Sequence, residues 1–169
     1  MERRRLTGSR RGIMLRMIRK LLGAVAGYVV YFFCVFLLFT GFSVVLGPDR
    51  LFLPGNYEPS MMWIIGALVI GIIAAVTGGY VAALIGKSGA VRIMVGLVVL
   101  IGAIVFVGLL RENTAVETRT VDLPIAEAMF KAREPLWVAA VNPLLAVIGV
   151  FAGGALRKNK ESWIPALRG

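Results

Sequence analysis

Apolar positions in this chain do not alternate with polar ones; they run together in long blocks. Four stretches hold no Asp, Glu, Lys or Arg: 21–47, 61–86, 93–110 and 135–156, of 27, 26, 18 and 22 residues. A helix rises ~1.5 Å per residue and a bilayer's hydrocarbon core is ~30 Å thick, so each stretch is long enough to cross as a helix. The third, at roughly 27 Å, barely reaches, and Arg92 and Arg111 bracket it where their heads snorkel outward. Backbone in lipid must satisfy its own hydrogen bonds, so spans of this kind are helices and not strands. The pattern predicts an all-α membrane protein with four transmembrane helices in an up-down bundle.

Composition agrees. Of 169 residues 59% are hydrophobic and 17% charged, with a mean hydropathy of +0.85; soluble domains average ~45–50% apolar. There is no histidine and one cysteine, Cys34. That excludes multi-cysteine zinc and iron–sulfur sites, histidine-ligated haem, a Ser-His-Asp triad and a disulfide framework. No cofactor and no metal are expected.

Charge predicts orientation. Residues 1–20, the 87–92 connection and residues 157–169 together carry fourteen basic side chains against two acidic ones, a net +12. Loops 48–60 and 111–134 carry five basic against seven acidic, a net −2. By the positive-inside rule both termini are cytoplasmic. Trp63 and Trp137 fall near the outer ends of the second and fourth spans, where an aromatic belt sits. Arg outnumbers Lys fourteen to five, and with no organelle signal visible the expected address is a bacterial cytoplasmic (plasma) membrane. The domain plan is a basic interfacial arm over 1–20, a transmembrane domain over 21–156 and a basic tail over 157–169.

In the arm, Ile13, Met14, Met17, Ile18 and Leu21 recur at helical spacing with Arg16, Arg19 and Lys20 between them. This reads as a short basic amphipathic helix on the inner leaflet, running into the first span. Arg10, Arg11, Arg16, Arg19 and Lys20 are the expected contacts to anionic lipid, each worth ~1 kcal/mol near an acidic surface. Without aromatic interleaving the arm does not read as a nucleic-acid binder. Arg10-Arg11 before an apolar stretch is similar to an export signal, but 27 residues far exceed a ~7–15-residue signal core, so an uncleaved anchor is expected. In the loops, Leu51-Phe52-Leu53 is expected to dip into the membrane interface, and Asp122-Leu123-Pro124 to start a short outer helix before the fourth span.

No carboxylate, Lys or Arg lies within a span, and proton relays or charged-substrate sites normally need one. Small residues at four-residue spacing remain: Gly23 and Gly27 in the first span, Gly78 and Gly79 in the second, Gly149 and Gly153 in the fourth. Such spacing lets helix backbones approach closely, and all three sets fall toward the same end. A helical wheel places Gly23, Gly27, Val30, Cys34, Gly41 and Val45 on one packing side of the first span. Asn142, the only side-chain amide in a span, precedes Pro143, whose missing N–H frees the Ala139 carbonyl. Asn142, Pro143 and Thr40, at matched depth in the first span, form the candidate polar site.

These residues point to a non-catalytic integral membrane protein, an accessory, assembly or lipid-associated subunit acting through helix packing with a membrane-protein partner or with itself. The competing reading is a small oligomeric transporter or permeation protein for a neutral or lipid-like solute.

Overall fold

The structure, a computed structural model, describes residues 2–54, 58–111 and 134–163. Nearly all of them are helical: α1 (Glu2–Leu46), α2 (Pro48–Leu51), α3 (Met61–Arg111) and α4 (Leu136–Trp163). Three of these are long and apolar enough to cross a membrane, over Gly12–Leu46, Met61–Arg111 and Leu136–Lys158. The chain has the all-α build of a multi-pass membrane protein.

Straight, the 51 residues of α3 would extend ~77 Å, more than twice a hydrocarbon core. They do not run straight. Lys87 has φ 57° and ψ −159°, a conformation outside the helix, and the chain folds back there. A Cβ built on Gly78 would stand 2.9 Å from the Met94 methyl, a meeting of residues sixteen apart that only a hairpin allows. Helix resumes immediately after Lys87, so the connection expected over 87–92 shrinks to one residue. The second arm then runs 88–111, about 36 Å, which removes the marginal length of the 93–110 stretch. That backbone region is almost exclusive to glycine, and a side-chain-bearing residue there costs about 1–3 kcal/mol.

The core lies where α3 packs against α1 on one side and α4 on the other. It is built from Ala24, Ala75, Ala82, Ala83, Ala90, Met94, Ala146 and Val150, mostly small side chains that bring backbones together.

The basic arm and the first span form one helix, α1, continuous from Glu2 to Leu46. Helix α4 runs past 156 to Trp163, into the basic tail. Two expectations are corrected. The wheel fails toward the far end of α1, where Val45 is 84% exposed and Gly41 meets nothing. The row with least exposure instead follows four-residue steps, from buried Gly23 and Gly27 through half-buried Tyr31, Val35 and Phe39 to buried Ser43. Helices that cross at an angle share an i±4 ridge, and that ridge drifts away from a 3.6-residue line.

The 48–60 loop differs too. Gly47 takes φ 73° and ends α1, Pro48 opens α2, and Leu53 N–H donates to the Glu58 carbonyl to close a small lid. Leu51 and Phe52 turn inward, fully buried against Phe42, Leu46 and Trp63, and do not serve as a membrane-dipping surface. Trp63 stands edge-on to Phe39 at 5.3 Å, while Trp137 is exposed. The expected outer helix over 122–133 lies outside the described residues.

Candidate functional site

Pro143 lies within α4, seven residues from its start, and its ring needs room. Gly102 of α3 supplies it: a Cβ there would lie 2.5 Å from Pro143 Cγ. Beside this contact Asn142 turns inward, and its Nδ2 donates to Glu134 Oε1 at 2.5 Å. Glu134 precedes α4, and its side chain folds back along the helix to reach an amide two turns further on. Tyr28 and Tyr31 of α1 complete the lining of a cavity of about 190 Å³ shared with Glu134, Asn142, Pro143 and Gly102. The two phenol rings lie 5.9 Å apart.

Burial pushes the Glu134 carboxyl above the usual carboxylate range, and the hydrogen bond from Asn142 offsets part of that rise. The amide favours the ionised form and the surroundings favour the neutral one. A carboxyl placed so can hold or release a proton. At about 190 Å³ the cavity falls below the ~300–1,000 Å³ of ordinary small-molecule pockets.

The structure thus gathers Asn142 and Pro143 but leaves Thr40 out. Thr40 is exposed on α1, on the side away from the drifting contact ridge, and the amide is bonded to Glu134 instead. Sequence reasoning missed Glu134 because it counted as loop charge, and it missed Tyr28 because Tyr28 is not among the wheel's packing-side residues, Gly23 to Val45. The available signal was a carboxylate just before a helix that carries an amide two turns in. Elsewhere, Thr77 Oγ1 donates to its own backbone at Ile73 O, 2.9 Å away. The Ser43 hydroxyl is fully buried with no hydrogen-bond partner among the described residues. Cys34 is a half-buried free thiol.

The small residues are where backbones meet. A Cβ on Gly23 would lie 2.7 Å from Gly86 N, and one on Gly149 2.7 Å from Ala75 Cβ. Gly79 faces the Val150 backbone, and Gly153 faces Val76 and Tyr80. Of the basic set, Arg16, Arg19 and Lys20 are exposed, and Arg19 Nε donates to the Ile85 carbonyl at 2.6 Å. Arg10 and Arg11 lie in α1, with side chains outside the described residues. The bond from Arg19 satisfies a carbonyl that the break at Lys87 leaves without a helical partner.

Comparison with known protein families, curated proteins and solved structures finds no match to this chain.

Proposed function

We propose that the chain crosses the membrane four times, with the two arms of α3 as separate spans and both termini in the cytoplasm of a bacterial cell. It works without catalysis, as an accessory, assembly or lipid-associated subunit. One contrast carries this reading. The centre is closed by glycine against backbone, while the outward faces keep large apolar side chains such as Leu37 (64% exposed), Ile104 (62%) and Ile148 (65%). A shut core with a broad apolar exterior suits contact with lipid and neighbouring helices. The charge asymmetry of the loops supports the orientation.

Purification of the tagged protein in mild detergent tests the proposal. A stoichiometric membrane-protein partner, or lipid carried through purification, supports it. A pure homo-oligomer that conducts a solute in vesicles overturns it in favour of the second reading, a small transporter or permeation protein for a neutral or lipid-like solute. The cavity at Asn142 is the observation that favours that alternative.

A further inference from the structure

Both ends of the α3 hairpin turn are basic, and the turn is flanked by two cavities. On the α1 side, Arg16, Arg19 and Lys20 share a cavity of about 380 Å³ with Lys87, Ser88 and Arg92. On the α4 side, a groove of about 430 Å³ is rimmed by Lys87, Arg92, Arg157 and Lys158. Among the described residues, neither lining holds an Asp or Glu. Below its rim the second groove changes character: Ala83, Val91 and Phe151 make its wall, and Phe151 is 51% exposed.

Lys87 adds an independent observation. Its φ of 57° with ψ −159° belongs to a region that glycine occupies freely and other residues avoid. Gly86 and Gly89 stand on either side, yet the strained position itself carries a lysine. A turn selected only for tightness would place glycine there. A turn that must present an ammonium group to both cavities keeps the lysine.

We propose that the groove between the α3 turn and the end of α4 binds an anionic phospholipid. Its phosphate sits among Lys87, Arg92 and Lys158, and one acyl chain lies along the wall at Phe151. A cationic rim over an apolar wall matches the two halves of such a molecule, whereas a free phosphate would use only the rim. The cavity on the α1 side extends the positive field that attracts the headgroup. This deepens the reading of a lipid-associated membrane subunit and rests on it, but the two fail separately, since the lipid site requires no protein partner.

Native mass spectrometry of the full chain in mild detergent tests it, with phosphatidylglycerol, phosphatidylcholine or inorganic phosphate added in separate arms. Wild type should retain phosphatidylglycerol in preference to phosphatidylcholine, and inorganic phosphate should not displace it. Lys87→Gly should raise the melting temperature by relieving the turn, yet weaken phosphatidylglycerol binding about fivefold, the loss expected for one basic contact. Phe151→Ser, which changes no charge, should also weaken it. Lys160→Gln, which removes a charge from the same basic tail, should leave the adduct intact. Equal retention of both lipids overturns the proposal, as does an equal loss with Lys160→Gln. Displacement by inorganic phosphate, or indifference to Phe151→Ser, would make this a free-anion site and overturns the assignment to lipid.

Discussion

Gly27 of α1 and Gly78 of α3 face each other reciprocally: a Cβ on either would lie 2.6 Å from the other's carbonyl oxygen. No side chain fits between two backbones this close. Gly27→Leu and Gly78→Leu should each destabilise the protein by at least ~1–3 kcal/mol through overpacking. Gly79→Leu belongs with them, since it would drive into the Val150 backbone. Ala103→Leu, at an exposed position of α3, should cost less. Thermal melts in detergent rank the four, and a larger loss at Ala103 would mean that the packing faces are assigned wrongly.

The orientation is open to labelling. In a Cys34→Ala background, a cysteine at Thr114 should react with a membrane-impermeant thiol reagent added to intact cells. A cysteine at Asn159 should react only after the membrane is opened. The reverse pattern would invert the topology.

The Glu134–Asn142 bond predicts non-additive mutations. Asn142→Leu leaves a half-buried carboxyl without its donor, so it should lower the melting temperature. In a Glu134→Met background the same change should cost much less, because removing both partners is milder than stranding one. Additive losses would show that the bond contributes nothing.

The same carboxyl predicts a pH dependence. Burial holds its folded-state pKa above the unfolded value of ~4.3, so the folded protein binds that proton more tightly. The contribution to stability is complete below the unfolded pKa and is lost as pH rises through the folded one. Melting temperature should therefore fall from acid toward neutral pH by more in wild type than in Glu134→Gln. Parallel pH profiles for the two proteins would refute the assignment.

The lid over the far end of α1 predicts a fifth effect. Leu51 is fully buried, so Leu51→Ala should cost ~2–5 kcal/mol, a cost that a membrane-dipping loop would not impose. Ser43→Ala should be neutral or stabilising, because the buried hydroxyl has no hydrogen-bond partner among the described residues. Denaturant or thermal unfolding in detergent reads both changes.

Much of the architecture was legible in residue order. Charge-free blocks marked the long helices, and Gly23, Gly27, Gly78, Gly79, Gly149 and Gly153 marked where backbones meet, since each signal is local and depends on residue type alone. The site was only half legible. Asn142 and Pro143 stand out as an amide and a helix breaker in an apolar block, but Glu134 and Tyr31 become their neighbours through folding. Thr40 was drawn in by depth, and depth without rotation does not make a contact.

The sequence by itself determined the all-α, membrane-like class, because apolar length and backbone hydrogen-bond satisfaction leave no other solution. Only the tertiary structure decided the rest: that α3 reverses at the single residue Lys87, that α1 packs along an i±4 ridge, and that a loop carboxylate turns in to meet Asn142. Those outcomes depend on how helices cross and which backbones come closest. They are properties of pairs of segments, and the order of residues within either segment does not contain them.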